Sequence, residues 1–324
     1  MQHYVYCLLI CILAFACGDT RQEKLEQKQH QKIQSVTVTK KINLNDPDQG
    51  FFYYPRFTPD GTKIILTSSN YRGLSYYDLS TKRIIFLNDM PGAGLDFCFS
   101  SDNMAIFFKS DTLQNRRRYY NIFRQDLRSQ DIYKLNKQSI QKVRGLARND
   151  KNVLIYWVDN RAIGIDLNSG ESVPATTSKP QYSLQGDKFI VLQNEAYNKY
   201  TPFPNQNLIW IESIPLSSHI LIYVVGHGLY NFNPEDTSST PIGDFRAARC
   251  SPDARLLAYM RDEDDGHRII GSDIFVATMD DQRTFAVTDT KDEIEMYPEW
   301  APDGQNLVFH TESGVIKLVS LQIN

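Results

Sequence analysis

The sequence predicts an all-β protein, and more narrowly a six-bladed β-propeller built from four-stranded antiparallel blades. The first observation is a repeated segment: FTPDGTKIIL at residues 57–66 recurs as WAPDGQNLVF at residues 300–309. The second is composition, because 18 Tyr, 17 Phe, 17 Gly and 14 Pro in 324 residues favour many short strands over long helices. Repeats that cannot bury both faces alone stack radially around a channel.

The repeated segment reads as a strand, a tight corner and a second strand. Pro fixes φ, Asp closes the turn on the backbone, and Gly tolerates a positive φ. A third clear copy is CSPDARLLAY at 250–259, and three weaker copies lie at 99–108, 147–156 and 213–223. Six corners are therefore visible. Their aspartates Asp60, Asp253 and Asp303 are interpreted as turn closers and not as catalytic acids.

Six corners divide the chain into six blades. Blade three contains two further strand-like segments, RAIGIDLN and KFIVLQN, which could conceal a small seventh blade, but six blades are preferred because only six corners are seen. The predicted blades are 53–94, 95–140, 141–206, 207–244, 245–294 and 295–324.

The last predicted blade shows only three strands before the chain ends at Asn324. Ser35 to Leu44, SVTVTKKINL, alternates β-branched and polar residues and precedes the first blade. We expect this N-terminal strand to pair with the last blade, because closure of the ring would cover an exposed strand edge.

These Pro-Asp repeats resemble those of TolB-like β-propellers, especially six-bladed ones in exported bacterial proteins. The resemblance covers about residues 53–324. It implies a binding scaffold of the cell envelope, although one propeller fold serves many functions. The chain lacks the amino-terminal domain of TolB, so a role in the Tol complex is not implied.

The first residues predict export. The run from Tyr4 to Cys17, YVYCLLICILAFAC, has the length of a signal-peptide core and is too short to span a bilayer. Its end resembles a bacterial lipoprotein signal, which would make Cys17 the lipidated residue; ordinary signal cleavage after Ala16 is the alternative. The predicted domains are a signal peptide at 1–17, a flexible tether at 18–34 and the propeller at 35–324. The expected location is the cell envelope, as a lipoprotein of the outer membrane.

Charge and motifs exclude several functions. A net charge of −3 and a pI near 6.1 argue against binding to nucleic acid. The chain contains no Gly-x-Ser-x-Gly, phosphate-binding Gly-rich loop or His-Glu-x-x-His motif. No cofactor is expected. Cys98 and Cys250, the cysteines beyond the signal, do not form a disulfide pattern.

Function is expected on the face that carries the loops between second and third strands and the connections between blades. Such loops bring distant residues together around the channel. Each charged group there could instead be an ordinary solvated loop tip. The candidate binding residues are Tyr71, Arg72, Arg116, Arg117, Arg118, His227, Asp262, Asp264, Asp265 and His267.

Two function classes follow, beside a third and weaker alternative, an inert structural module. The favoured one is a non-enzymatic, lipid-anchored scaffold that binds an envelope protein at this rim. The alternative is a propeller that binds glycans or cleaves polysaccharide with a metal, because His227, His267 and His310 could approach one another. No metal site is predicted, since neither the His spacing nor the acidic run near Asp264 is diagnostic.

Overall fold

A computed structural model describes residues 32–324 and shows an all-β propeller of seven antiparallel sheets. Six sheets have four strands and one has three. Within this range, no helix is both long enough and apolar enough to cross a membrane.

Blades 1 to 3 are each formed by four consecutive strands. Two short 3-10 helices, Pro47–Gln49 and Ser69–Tyr71, lie before and within blade 1. Blade 1 contains β2 (Tyr53–Phe57), β3 (Lys63–Thr67), β4 (Leu74–Asp78) and β5 (Arg83–Asn88); blade 2 contains β6 (Phe97–Phe99), β7 (Ala105–Gln114), β8 (Arg117–Asp126) and β9 (Ile132–Lys134); blade 3 contains β10 (Val143–Arg148), β11 (Val153–Val158), β12 (Arg161–Asp166) and β13 (Ser172–Pro174).

Blades 4 to 7 complete the ring, and the last of them includes the N-terminal strand β1. Blade 4 contains β14 (Gln181–Gln185), β15 (Lys188–Gln193) and β16 (Ala196–Tyr200); blade 5 contains β17 (Leu208–Ser213), β18 (Ile220–Val224), β19 (Gly228–Phe232) and β20 (Ser239–Gly243); blade 6 contains β21 (Arg246–Cys250), β22 (Leu256–Asp264), β23 (Ile269–Thr278) and β24 (Thr284–Ala286); blade 7 contains β25 (Glu295–Trp300), β26 (Asn306–Thr311), β27 (Ile316–Ile323) and β1 (Val36–Asn43).

The prediction of six blades is wrong, because residues 141–206 form two sheets. Blade 4 escapes a count of corners since its first two strands are joined by the two-residue turn Gly186-Asp187, with Gly186 at φ 67°. That turn has no Pro-Asp corner. The blade is also reversed: Gln185 donates to Asn160 across 2.6 Å, so its first turn lies beside the β11–β12 turn.

The Pro-Asp corners close as the sequence predicted. In blade 1 the Asp60 carboxylate accepts the Thr62 N–H at 3.1 Å and the Thr58 hydroxyl at 2.6 Å. In blade 7 Asp303 accepts the Gln305 N–H at 2.8 Å. These hydrogen bonds make each aspartate part of a turn, where its carboxylate replaces backbone acceptors.

The ring has two faces, which we name by their loops. The corner face carries the corners after first strands and the turns between third and fourth strands; the backbone bond from Met279 N–H to Arg255 O joins these two kinds of turn in blade 6. The mouth face carries the loops between second and third strands and the connections between most blades. Apolar clusters fill the space between neighbouring blades, as where Ile65 of blade 1 packs with Phe108 of blade 2.

Strand β1 closes the ring by pairing antiparallel with β27, from Val36 opposite Ile323 to Asn43 opposite Lys317. A buried ion network supports this junction. Lys317, 3% exposed, bonds Glu293 and lies 3.3 Å from Glu295, which is fully buried. Lys41 of β1 reaches the same Glu295 oxygen at 3.2 Å. Loss of one member would leave a buried charge without its partner, which is strongly destabilising.

The chain enters β1 from the corner face. Lys32 pairs with Asp281 at 2.9 Å, and Arg283 donates to the carbonyl oxygen of Ile33. The Ile33 side chain is 4% exposed and belongs to the core of blades 6 and 7. The polar segment 18–34 thus ends in contact with the propeller, whereas residues 1–31, including Cys17, lie outside the described residues.

Candidate functional site

A cavity of about 640 Å³ opens on the mouth face at the end of the central channel. Its walls come from the first strands of blades 1, 5, 6 and 7 and from the loops above them. Five aromatic side chains line it: Tyr54, Tyr71, Trp210, Tyr223 and Tyr297. A cavity that combines aromatic walls with a few polar groups is the usual form of a binding site.

A bulge in three first strands shapes these walls. The strand register shifts between Tyr53 and Arg56, between Arg246 and Arg249, and between Met296 and Glu299. Within the shifts Tyr54, Ala247 and Tyr297 have φ of 50°, 49° and 56°. Residues other than glycine rarely adopt this left-handed backbone conformation. It occurs at bulges, where a strand must redirect its side chains.

Four charged residues occupy equivalent positions in the first strands, and we call them the charge ring: Glu212, Arg249, Glu299 and Arg56. Each lies two residues before a corner residue whose N–H bonds across the corner, namely Ile214, Ser251, Ala301 and Thr58. They come from blades 5, 6, 7 and 1, which are consecutive around the ring. The sign of charge therefore alternates from blade to blade.

Arg249 is the centre of the charge ring. Its Nε lies 2.9 Å from Glu299 and its Nη1 lies 3.4 Å from Glu212. Its guanidinium also stands 5.4 Å from the centre of the Trp210 ring, within the range of a cation–π contact. Burial lowers the pKa of Arg249, but the two glutamates outweigh it and the net shift is upward.

Glu212 changes its charge near neutral pH. Desolvation raises its pKa to about 7; Arg249 opposes this shift and Glu299 adds to it. Although 28% of the side chain touches solvent, protein surrounds the carboxyl group. Desolvation therefore dominates over the ion pair.

Stacked rings form the wall between blades 1 and 7. Tyr54 stacks on Tyr71 with ring centres 4.1 Å apart and meets Tyr297 edge-on at 4.8 Å. Behind them His310, 1% exposed, stacks on Tyr297 at 5.5 Å. Burial lowers the pKa of His310 to about 4, and burial raises that of Tyr71. Both groups are therefore neutral at physiological pH.

Two of the ten residues predicted for the rim, Tyr71 and Asp262, line the cavity. Asp262 is held by Arg246 at 2.6 Å, and Asp264 is 4.0 Å from the same guanidinium. Arg72 instead pairs with exposed Asp89 at 2.7 Å. These contacts bring part of the blade 6 acidic run to the mouth.

The other predicted residues occupy loop tips and do not line the cavity. Arg116, Arg117 and Arg118 lie at the β7–β8 hairpin, where Arg118 pairs with Asp111 at 3.1 Å. Asp265 accepts the N–H groups of His267 and Arg268, each at 2.9 Å, which makes it a turn residue. His227 lies in the β18–β19 turn.

No metal centre links the three histidines considered from the sequence. Across residues 32–324, no group of three or more His, Cys, Asp and Glu side chains is placed to hold a metal ion. His310 packs among tyrosines, whereas His227 and His267 stand in exposed turns of blades 5 and 6.

Sequence reasoning missed the charge ring, although a signal for it exists. When the repeated segments are aligned on their corners, Arg56, Arg249 and Glu299 fall in one column, and each stands between two apolar neighbours. A charged residue repeated at a strand position that should be buried indicates a lined channel. Glu212 lacks even this signal, because its corner has lost the aspartate.

Fold and site together define a seven-bladed propeller with a charged and aromatic cavity at one end of its channel. No protein-family model matches the chain, and no curated protein matches it. Its fold is similar to that of an oligogalacturonate lyase from Vibrio parahaemolyticus, at TM-score 0.57 and 15% identity, covering 88% of this chain and 98% of the lyase. It is also similar to the WD40 repeats of RRP9, at TM-score 0.61 and 13% identity, covering 90% and 100%. Identities this low show the β-propeller fold alone.

Proposed function

We propose that this protein is a non-enzymatic scaffold that binds a segment of a partner protein in the mouth-face cavity. The observation that carries the proposal is the set of apolar side chains around the opening. Leu95, Ile209 and Val225 line the cavity and are 53%, 62% and 45% exposed. Exposed apolar residues that converge on one opening are typical of interaction sites.

The walls beneath this apolar rim have the composition of a protein interface. Tyr, Trp and Arg are enriched in interface cores and dominate binding energy there. Trp210 and Arg249 already contact each other, and the bulged tyrosines Tyr54 and Tyr297 pack together. A partner segment would therefore meet a wall that is largely ordered before binding, which lowers the entropic cost of association.

Site-specific photocrosslinking in the native cell tests the proposal. A photoreactive amino acid at Ile209 or Val225 should capture a protein partner. The matched control is Leu216, an apolar residue 73% exposed on the corner face. Capture from both mouth positions and not from Leu216 supports the scaffold. Equal capture from all three, or none from the mouth, contradicts it.

Glycan binding or cleavage is the second candidate, favoured by the five aromatic side chains of an open cavity. Tyrosine and tryptophan rings offer flat apolar faces beside polar groups, a combination that also suits sugars. Cleavage of oligogalacturonate is the activity named for the Vibrio parahaemolyticus neighbour. Retention of labelled polysaccharides by the wild-type chain, lost in Trp210→Ala, would favour this candidate over a protein partner.

We also propose that the chain is a TolB-like envelope lipoprotein anchored through Cys17. The Pro-Asp repeats and the Ala14-Phe15-Ala16-Cys17 end of the apolar leader support this proposal. Lipidation would attach the chain to a membrane without a spanning helix. Cys17→Ser should then shift the protein from the membrane fraction to the soluble fraction, whereas Cys98→Ser should leave its fractionation unchanged. Membrane association retained in Cys17→Ser would contradict the anchor.

A further inference from the structure

The cavity lining carries one more positive than negative charge. Its five charged residues are Arg56, Arg246, Arg249, Asp262 and Glu299. Arg246 is neutralised by Asp262 at 2.6 Å and Arg249 by Glu299 at 2.9 Å. Arg56 is the remaining cation of the lining, because Glu212, which reaches Arg249 at 3.4 Å, is not among the residues that line the cavity. It makes no ion pair within 4.0 Å of any residue between 32 and 324.

Arg56 is held in place by an aromatic ring. Its guanidinium carbon lies 4.5 Å from the centre of the Phe97 ring. Stacking on a ring covers one flat face of a guanidinium and leaves its N–H edge free. Such an edge can donate two parallel hydrogen bonds to a carboxylate, which is the strongest common pairing for arginine.

Leu95 of the apolar rim lines the same cavity as this cation. Leu95, 53% exposed, precedes Phe97 by two residues in the connection between blades 1 and 2. A ligand that fits both features carries an apolar side chain beside a carboxylate. Arg249 is a poorer site for a carboxylate than Arg56. Its partner Glu299, at 2.9 Å, would repel an acidic group that approached it.

We propose that the cavity binds an acidic peptide segment and that Arg56 binds the carboxylate of an Asp or Glu side chain within it. This inference rests on the proposed function and specifies its ligand. The neighbouring apolar side chains of the peptide would cover Leu95, Ile209 and Val225. Arg56 would then be the residue that selects acidic over neutral segments.

The test uses three octapeptide libraries, acetylated and amidated at their ends, in which one central residue is fixed as Glu, Gln or Lys. Each library is passed over the immobilised chain, and retained peptides are counted by mass spectrometry. We expect the Glu library to be retained about tenfold more than the Gln library, since a charge-assisted bond contributes on the order of tenfold in affinity. Retained peptides should be enriched in apolar residues beside Glu.

Two variants at position 56 and one control test whether the preference for Glu depends on Arg56. Arg56→Met should bring the Glu to Gln ratio near one, and Arg56→Lys should keep part of the preference because the charge remains. Arg83→Met, on an exposed arginine at the corner face, should change nothing. Circular dichroism melting shows whether each variant is folded. A wild-type ratio near one, or an unchanged ratio in folded Arg56→Met, overturns the proposal.

Failure of this inference is distinguishable from failure of the scaffold function. If the Glu and Gln libraries are retained equally and both above background, peptide binding stands and the role of Arg56 is refuted. If no library is retained while methyl glucuronoside binds in an Arg56-dependent way, both the peptide ligand and the scaffold function are wrong. In that outcome the cavity is a site for acidic sugars.

Discussion

At the scale of single residues, the charge ring shows how one position in a repeat acquires different functions. Arg56, Glu212, Arg249 and Glu299 share a backbone environment, yet each has a different set of partners. Glu212 differs most, because burial raises its pKa to about 7. The protonation state of the ring therefore changes within the physiological pH range.

This shift predicts a pH-dependent stability. The pKa of Glu212 is higher in the folded than in the unfolded chain, so the folded state binds the extra proton. The contribution to stability is full below about pH 4.5, the ordinary pKa of the group, and is lost as the pH rises through about 7. Glu212→Gln should match wild type near pH 5 and be more stable than wild type at pH 8, as measured by urea unfolding.

Glu171→Gln is the control for this experiment, because Glu171 is exposed at the outer edge of blade 3. Its stability difference from wild type should not vary between pH 5 and pH 8. A Glu212→Gln difference that is equally flat would show that Glu212 titrates normally.

A close approach of backbone to side chain fixes one side of the cavity. Gly94, which lines it, donates its N–H to Tyr71 O at 3.0 Å. A Cβ atom at Gly94 would lie 2.3 Å from Thr67 Oγ1. Gly94→Ala should therefore destabilise the fold by about 1–3 kcal/mol and reduce crosslinking at Ile209. Gly271→Ala, whose Cβ would meet nothing closer than 3.8 Å, should leave the melting temperature and the crosslinking at Ile209 unchanged.

At the scale of elements, the junction between β1 and β27 holds the ring together. Deletion of residues 35–44 would expose the edge of β27 and remove Lys41 from the buried Glu295. We expect this deletion to unfold the domain, because an open ring leaves both a free strand edge and an unpaired buried charge. Limited proteolysis and circular dichroism measure the loss.

The fragment 32–324 is the matched control, since it retains β1 and the contacts of Lys32 and Ile33. It should melt as the longer chain does. A cooperative, full-amplitude melt without residues 35–44 would show that blade 7 is stable with three strands.

Sequence reasoning predicted those elements whose signal is local. A Pro-Asp corner is recognisable from four consecutive residues, so the turns at Asp60, Asp253 and Asp303 were predictable. The pairing of segment 35–44 was predictable from its alternation of β-branched and polar residues. Blade 4 was not, because it is reversed and begins with a Gly-Asp hairpin in place of a corner. The cavity depends on side chains from four blades meeting across the channel, and no local pattern encodes which of them converge.

At the scale of the whole molecule, both ends of the described chain lie together on the corner face. The Gln34 N–H donates to Asn324 O, and the Asn324 N–H donates to Ser35 O. A folded domain fused before Lys32 should therefore leave crosslinking at Ile209 unchanged. The same domain inserted after Gly226, in the β18–β19 turn beside the cavity, should abolish it. Loss of crosslinking with both fusions would contradict this placement.

Lys32 pairs with Asp281 on the corner face, so the segment that precedes Lys32 joins the propeller at that face. If Cys17 anchors the chain as proposed, the membrane lies on the side of the corners and the cavity opens away from it. A ligand would then be captured from the space beyond the membrane surface, and lipids or proteins embedded beside the anchor would face only the corner face of the ring.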